Sequence, residues 1–250
     1  MNILNIAAYR FVALDHLAEL RAAFKRRCEE LELKGTILLA AEGANLCLAG
    51  AAAKVEAFLQ TLRADARFDA IEIKRSWSAG QAFNRLLLKI KREIVSMRRP
   101  EIDPCETPAA RLEPRELKRW LDERRAVVLL DTRNQFEVEL GSFEHALSLG
   151  LKSFSDFPRA TPALPEKLKD LPIVTFCTGG IRCEKAAPWL MHQGFREVYQ
   201  LDGGILNYFE QCGGAHFRGE CFVFDQRVAL DAGLRQSGSA TSRSASHEPG

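Results

Sequence analysis

The chain has 250 residues, enough for two modest domains that each bury a core, with 46% hydrophobic and 27% charged residues. A net charge of +2 permits contact with nucleic acid without demanding it, and no apolar run approaches membrane-spanning length. Seven cysteines, at positions 28, 47, 105, 177, 183, 212 and 221, form no dense framework and follow no secretory leader; this fits reduced thiols and a cytoplasmic location. Neither their spacing nor that of the five histidines gives a zinc pattern, so no metal is expected.

Residues 3–9 predict a strand, and Asp15 is placed to cap a helix to about Leu31, with Leu17, Leu20, Phe24 and Leu31 at helical spacing. A strand over 33–40, the turn Glu42-Gly43-Ala44-Asn45 and a short strand over 46–49 follow. Residues 51–63 predict a helix with Val55, Phe58, Leu59 and Leu62 on one face, and 70–77 and 86–91 supply further strands. The order β-α-β-β-α-β, plus one extended piece, predicts a ferredoxin-like split βαβ domain over residues 1–97, a topology that serves many functions. Residues 98–114, rich in proline and charge, read as a linker.

Pro114 begins a helix through Leu117, Trp120 and Leu121, and residues 126–130 form an apolar strand that ends at Asp131. Strands at 173–176 and 197–199 alternate with helices at 184–192 and 205–212. The pattern predicts a mostly parallel α/β domain over 115–218, with its site at the carboxyl ends of the strands. Residues 219–232 read as a C-terminal extension and 233–250, without apolar pattern, as a disordered tail.

The 173–176 strand opens into Cys177-Thr178-Gly179-Gly180-Ile181-Arg182-Cys183-Glu184-Lys185. A buried structural cysteine needs neither glycines nor an arginine beside it. Here Gly179 and Gly180 let the backbone curl, so that the segment Thr178, Gly179, Gly180, Ile181 forms an anion cradle. Arg182 adds a fixed positive fork, and the helix start adds about 0.3–1 kcal/mol for an exposed charge. Together they favour thiolate over thiol and make Cys177 a nucleophile or redox centre, against the plainer reading of a glycine turn with an incidental cysteine. Cys183 reads as a thiol that resolves Cys177 as a disulfide, or as a core residue of the helix. Asp131 and Arg133, at a strand end on the same edge, read as a pair that fixes the geometry of the catalytic loop, against a surface pair. Glu184 and Lys185 read as polar residues of a first helical turn.

With Val198-Tyr199-Gln200-Leu201-Asp202-Gly203-Gly204-Ile205 downstream, and Asp131-Thr132-Arg133, Phe136-Glu137, Gly141, Phe143 and Ala146 upstream, the Cys177 segment resembles the rhodanese module. Lys34 to Gly43, Lys91-Arg92-Glu93-Ile94-Val95 and Phe222-Val223-Phe224-Asp225-Gln226-Arg227-Val228 extend the likeness. Over residues 3–230 the chain is similar to the rhodanese-containing tRNA uridine(34) hydroxylases. That resemblance implies an oxygen-dependent oxidoreductase that converts uridine to 5-hydroxyuridine at the wobble position of a tRNA anticodon stem-loop. It implies molecular oxygen and an electron donor as co-reactants, and it makes Cys177 the active-site cysteine, the position that bears a persulfide in rhodaneses. No flavin, haem or iron site is expected, because the chain offers no dinucleotide fingerprint and no two-histidine-one-carboxylate set. The thiolate acts either through a persulfide or by adding to C6 of uracil, which enriches C5 for attack on oxygen. The chain departs from its relatives at Leu46, where they carry a second turn glycine, and in a tail without the cysteine that many of them have.

Lys74, Arg75, Arg85, Lys89, Lys91 and Arg92 gather in one region with Trp77 and Phe83 beside them; they are candidate contacts for RNA phosphates and unpaired bases, against a solvated sheet edge. Two other functions compete. A stand-alone sulfurtransferase leaves the N-terminal domain without a task, and a non-catalytic tRNA-binding protein has no need of an ionisable thiol. The sequence sets no oligomeric state.

Overall fold

A computed structural model describes residues 2–236. The expected disordered tail lies outside the described residues from 237 onward, and within it Gln236 still bridges to Leu230. Among the described residues no helix is long and apolar enough to cross a membrane.

The N-terminal sheet comprises β1 (Ile3–Phe11), β2 (Lys34–Ala40), β3 (Gly43–Ala51), β4 (Glu72–Ser78) and β5 (Leu86–Ile90), with α1 (Leu17–Glu30) and α2 (Ala52–Arg63) between them. Its order is β4-β1-β3-β2-β5, the split βαβ arrangement with β5 added parallel to β2. Strand alternation sends Leu4, Ile6, Ile37, Leu39, Leu46 and Leu48 to the face covered by Phe24 of α1 and Phe58 and Leu59 of α2. The opposite face, with Asn5, Ala7, Tyr9, Cys47 and Lys74, is left to other partners.

Two local departures have physical reasons. Asp15 does not cap α1: it accepts from the Arg67 guanidinium at 3.0 Å, while left-handed His16 (φ 47°) stands before the helix. Strand β3 starts three residues earlier than expected, because Gly43 (φ 148°) follows a two-residue turn and lies against the Arg10 carbonyl, 2.1 Å from where a Cβ would stand. Leu46, in place of the relatives' second glycine, is fully buried in the core.

The second sheet is parallel throughout, in the order β6-β11-β10-β7-β9. Its strands are β6 (Ala110–Leu112), β7 (Val128–Asp131), β9 (Leu147–Ser148), β10 (Ile173–Phe176) and β11 (Val198–Leu201). Helices α3 (Pro114–Asp122), α4 (Gln135–Val138), α5 (Phe157–Ala160), α6 (Cys183–His192) and α7 (Gly204–Cys212) intervene. The end of the 98–114 segment is thus an edge strand of this sheet, and Met97 and Ile102 pack into its core. Two short antiparallel pairs complete the chain: β8 (Gly141–Phe143) with β12 (Phe217–Gly219), and β13 (Cys221–Phe222) with β14 (Ala229–Leu230).

The two sheets meet through buried charge. Lys185 is 2% exposed and its ammonium holds Glu42 (2.7 Å), Glu93 (2.9 Å) and the Val95 carbonyl (3.2 Å). Glu184 accepts from the Tyr9 hydroxyl (2.9 Å), Arg111 (2.8 Å) and Gln200 (3.0 Å). Both residues do stand in the first turn of α6, as expected there, and the structure adds that they are buried and tie that turn to the N-terminal half. Further ties run from Arg227 to Ser76 (2.7 Å) and from Gln226 to Ala82 (3.0 Å). Removing one partner of a buried charge set leaves the others uncompensated, so Lys185→Met is expected to lower unfolding free energy by about 3 kcal/mol, read from urea denaturation.

Candidate active site at the domain junction

Cys177 follows the last residue of β10, and α6 begins six residues later. The connecting loop is fixed at both ends. The Cys177 carbonyl accepts from the Ile205 amide (2.9 Å) and the Thr178 carbonyl from the Leu206 amide (3.1 Å), so the start of α7 grips the loop. Gly204 (φ 67°) permits this: a Cβ there would stand 2.4 Å from the Cys177 carbonyl oxygen and 2.8 Å from the Gly180 nitrogen. Of the two loop glycines only Gly180 uses the left-handed region (φ 98°), and it turns its N–H to the Cys177 Sγ at 3.1 Å.

That sulfur is 1% exposed. Burial alone pushes its pKa up, but a hydrogen bond from the Cys183 thiol, the charge of Arg182 and the N–H groups of Arg182 and Gly180 together bring it down to about 5. Cys183 moves the opposite way: burial and the neighbouring thiolate push it well above the ordinary thiol range, and its sulfur lies 3.8 Å from the Thr132 hydroxyl. The two sulfurs are thus driven in opposite directions, Cys177 toward the anion and Cys183 toward the protonated thiol.

Arg182 reaches the thiolate through its field and its backbone, since its guanidinium is committed to Glu137 at 2.6 and 2.7 Å. Glu137 is fully buried, and the fields of Arg182 and Arg133 hold its carboxyl below the usual range against the cost of burial. Thr178 sits between Glu137 (3.4 Å) and the Phe222 carbonyl (3.2 Å), while Gly179 and Ile181 are the partly exposed members of the cradle. Asp131 and Arg133 form a wholly buried pair: Arg133 binds Asp131 at 2.6 and 2.9 Å and the Gly141 carbonyl at 2.6 Å, and Ser142 donates to Asp131 at 2.7 Å. They brace the turn between β7 and β8 rather than stand on the surface, and among the described residues no hydrogen bond joins either to Cys177.

The basic cluster divides. Lys74 leaves it altogether: its ammonium donates to the Gly179 carbonyl and lies 5.3 Å from the centre of the Tyr9 ring. Arg75 pairs with Glu56 at 3.2 Å. Arg85, Lys89, Lys91 and Arg92 are exposed, and Lys89 and Lys91 line a groove with Arg21 of α1. Trp77 is 55% exposed. Sequence reasoning missed Tyr9, Glu42, Arg111 and Glu137 as parts of the site region. The available signal was a set of charged or hydroxylated residues within otherwise apolar strand ends and turns.

Comparison with known proteins accords with this geometry. Residues 3–94 match the UPF0176 acylphosphatase like domain and residues 113–211 the rhodanese-like domain. A tRNA uridine(34) hydroxylase of Cupriavidus necator is 52% identical over 95% of this chain and 86% of its own length. The chain belongs to the tRNA uridine(34) hydroxylase family. The family protein of Bordetella petrii is 51% identical, over 94% of this chain and 96% of that one. Among solved structures, the rhodanese-like domain of an Anabaena protein aligns at a TM-score of 0.38 and 19% identity, covering 56% of this chain and 94% of that one.

Two outcomes follow from the loop. Because the folded pKa of Cys177 lies below the ordinary thiol value, thiolate absorbance at 240 nm, taken as wild type minus Cys177→Ser, is expected to persist from pH 8 down to 6 and to fade through about pH 5. Gly204→Ala places a methyl group against the loop backbone, and the same difference titration is expected to move up toward the free-cysteine value of about 8.5.

Proposed function

We infer that the chain hydroxylates uridine 34 of tRNA and that Cys177 is the residue that activates the base. The observation that carries the second part is the hydrogen bond from Gly180 to a buried sulfur whose partners favour the anion. The uracil ring is electron-poor: C6, conjugated with the C4 carbonyl, is its electrophilic carbon, and C5 is too weak a nucleophile to meet oxygen unaided. A thiolate that adds to C6 forms an S–C6 bond and sends the C5=C6 pair toward C4 and O4, so that C5 becomes nucleophilic. After oxygen is delivered to C5, loss of the C5 proton and expulsion of the thiolate restore the ring as 5-hydroxyuridine. Molecular oxygen supplies the atom, and an electron donor reduces the second oxygen atom to water.

The anticodon stem-loop is the substrate portion that fits this reading, since uridine 34 lies among unpaired bases. Exposed Lys89, Lys91, Arg85 and Arg92 supply phosphate contacts, and Trp77 an open ring for stacking. Access to a sulfur that is 1% exposed requires the 222–228 segment or the N-terminal sheet to yield, because Phe222 and Lys74 bond the loop and Arg227 ties that segment to Ser76. Cys183, as the donor to the Cys177 sulfur, keeps the thiolate in place between turnovers.

Incubation of an anticodon stem-loop with oxygen and reductant, followed by nucleoside mass spectrometry, tests the assignment. Wild type is expected to give 5-hydroxyuridine, and Cys177→Ser at least 1,000-fold less, on the order of the loss when a covalent nucleophile is removed. Equal product from both would refute the role of Cys177. Thiolated uridine in place of the hydroxylated base would favour sulfur transfer.

A further inference from the structure

Five cationic side chains crowd the junction around the Cys177 loop. Arg182 holds Glu137, Lys185 holds Glu42 and Glu93, Arg111 holds Glu184 and Asp202, and Arg227 holds Asp225. Lys74 is the exception. Its ammonium has three donors, and it donates to the Gly179 carbonyl, beside the face of the Tyr9 ring. Among the described residues no carboxylate forms an ion pair with this half-buried ammonium; Glu72 and Asp202 act on it only from farther off, and the Cys177 loop lies against it.

The register of the first sheet shows what lies next to it. Lys74 pairs with Ala7, Ala7 with Cys47 and Cys47 with Thr36, so a row of small side chains runs across the docked face of the sheet from the base of Lys74. The neighbouring row holds the larger Tyr9 and Asn45. A planar ring brought to Cys177 once the covering elements have yielded would meet these small side chains on the sheet side, with Lys74 at its edge. Burial pushes the Lys74 ammonium below its ordinary range, and the Cys177 anion, Glu72 and Asp202 offset that shift only in part, so an anion in direct contact would still be favoured there.

We propose that Lys74 is a catalytic residue of this site: when the Cys177 thiolate adds to C6 of uracil, the Lys74 ammonium donates a hydrogen bond to O4 and stabilises the enolate. The proposal rests on the addition reading above. It balances without an oxidant: the thiolate pair forms S–C6, the C5=C6 pair becomes C4=C5, and the carbonyl pair moves onto O4. It also gives the N-terminal domain a task in the chemistry besides holding RNA.

The enolate can be detected without oxygen. Protonated at C5 and released, it returns uridine whose C5 hydrogen has exchanged with solvent. An anaerobic assay with a stem-loop carrying 5-tritiated uridine 34 therefore isolates the step. Wild type is expected to release tritium to water, and Lys74→Ala to do so about 100-fold more slowly, the usual loss when one oxyanion donor is removed. Lys74→Arg, which keeps the charge, should retain part of the rate. Methylammonium should restore part of it to Lys74→Ala, which a purely structural role would not allow. Stem-loop affinity and the 240 nm titration of Cys177, measured on the same variants, report whether the site has survived. Equal release by wild type and Lys74→Ala would overturn the proposal. So would slow release without rescue in a variant whose affinity or titration has changed. No release by a wild-type protein that hydroxylates normally would overturn the addition reading, and Lys74's role with it.

Discussion

An anion kept almost wholly out of water must be compensated by its immediate surroundings, and the Cys177 loop is organised around that demand. The Gly180 N–H, the Cys183 thiol and the field of Arg182 each face the sulfur. Each depends in turn on a further layer. Gly180 can turn its N–H inward because its φ is 98° and because Gly204 leaves room for it. Arg182 is held by Glu137, and Glu137 by the backbone of Asn134 at 3.0 Å. Such a set is strong only when complete, because in a low dielectric an unmet charge costs more than a met one returns.

The same electrostatics explains the joining of two folds. The split βαβ sheet covers one face with its own helices and leaves the other lined by small and polar groups. That second face settles on the rhodanese-like half through Lys185, Glu184 and Lys74, each of which lies in the Cys177 loop, in the first turn of α6 or against them. The docking contacts and the chemical site are thus one network. A change at Glu42, in the first hairpin, reaches the helix that carries Cys183 through a single ammonium.

Much of this was legible in the sequence. Alternation and helical spacing located every strand of the first sheet, and the order strand, cysteine, glycines, arginine, helix located the loop. What stayed hidden was long-range. Nothing local marks Lys74 as different from Lys89, since each is a strand lysine next to an isoleucine; only the fold places one against Gly179 and the other in solvent. Glu184 and Lys185 resemble any polar first turn until the N-terminal sheet arrives with Tyr9 and Glu42. The 98–114 segment lacks periodicity because its strand is three residues long, too short to show a pattern.

Family membership supplies the reaction, and the geometry supports the proposed role of the cysteine, in which a sulfur anion added at C6 makes C5 nucleophilic enough to meet oxygen. The most direct measurement is capture of that bond. An anticodon stem-loop with 5-fluorouridine at position 34 blocks the departure of the C5 substituent and should leave a covalent RNA–protein adduct, which peptide mass spectrometry should map to Cys177. Full hydroxylation of the ordinary stem-loop with no adduct from the fluorinated one, or an adduct on another residue, would contradict the account.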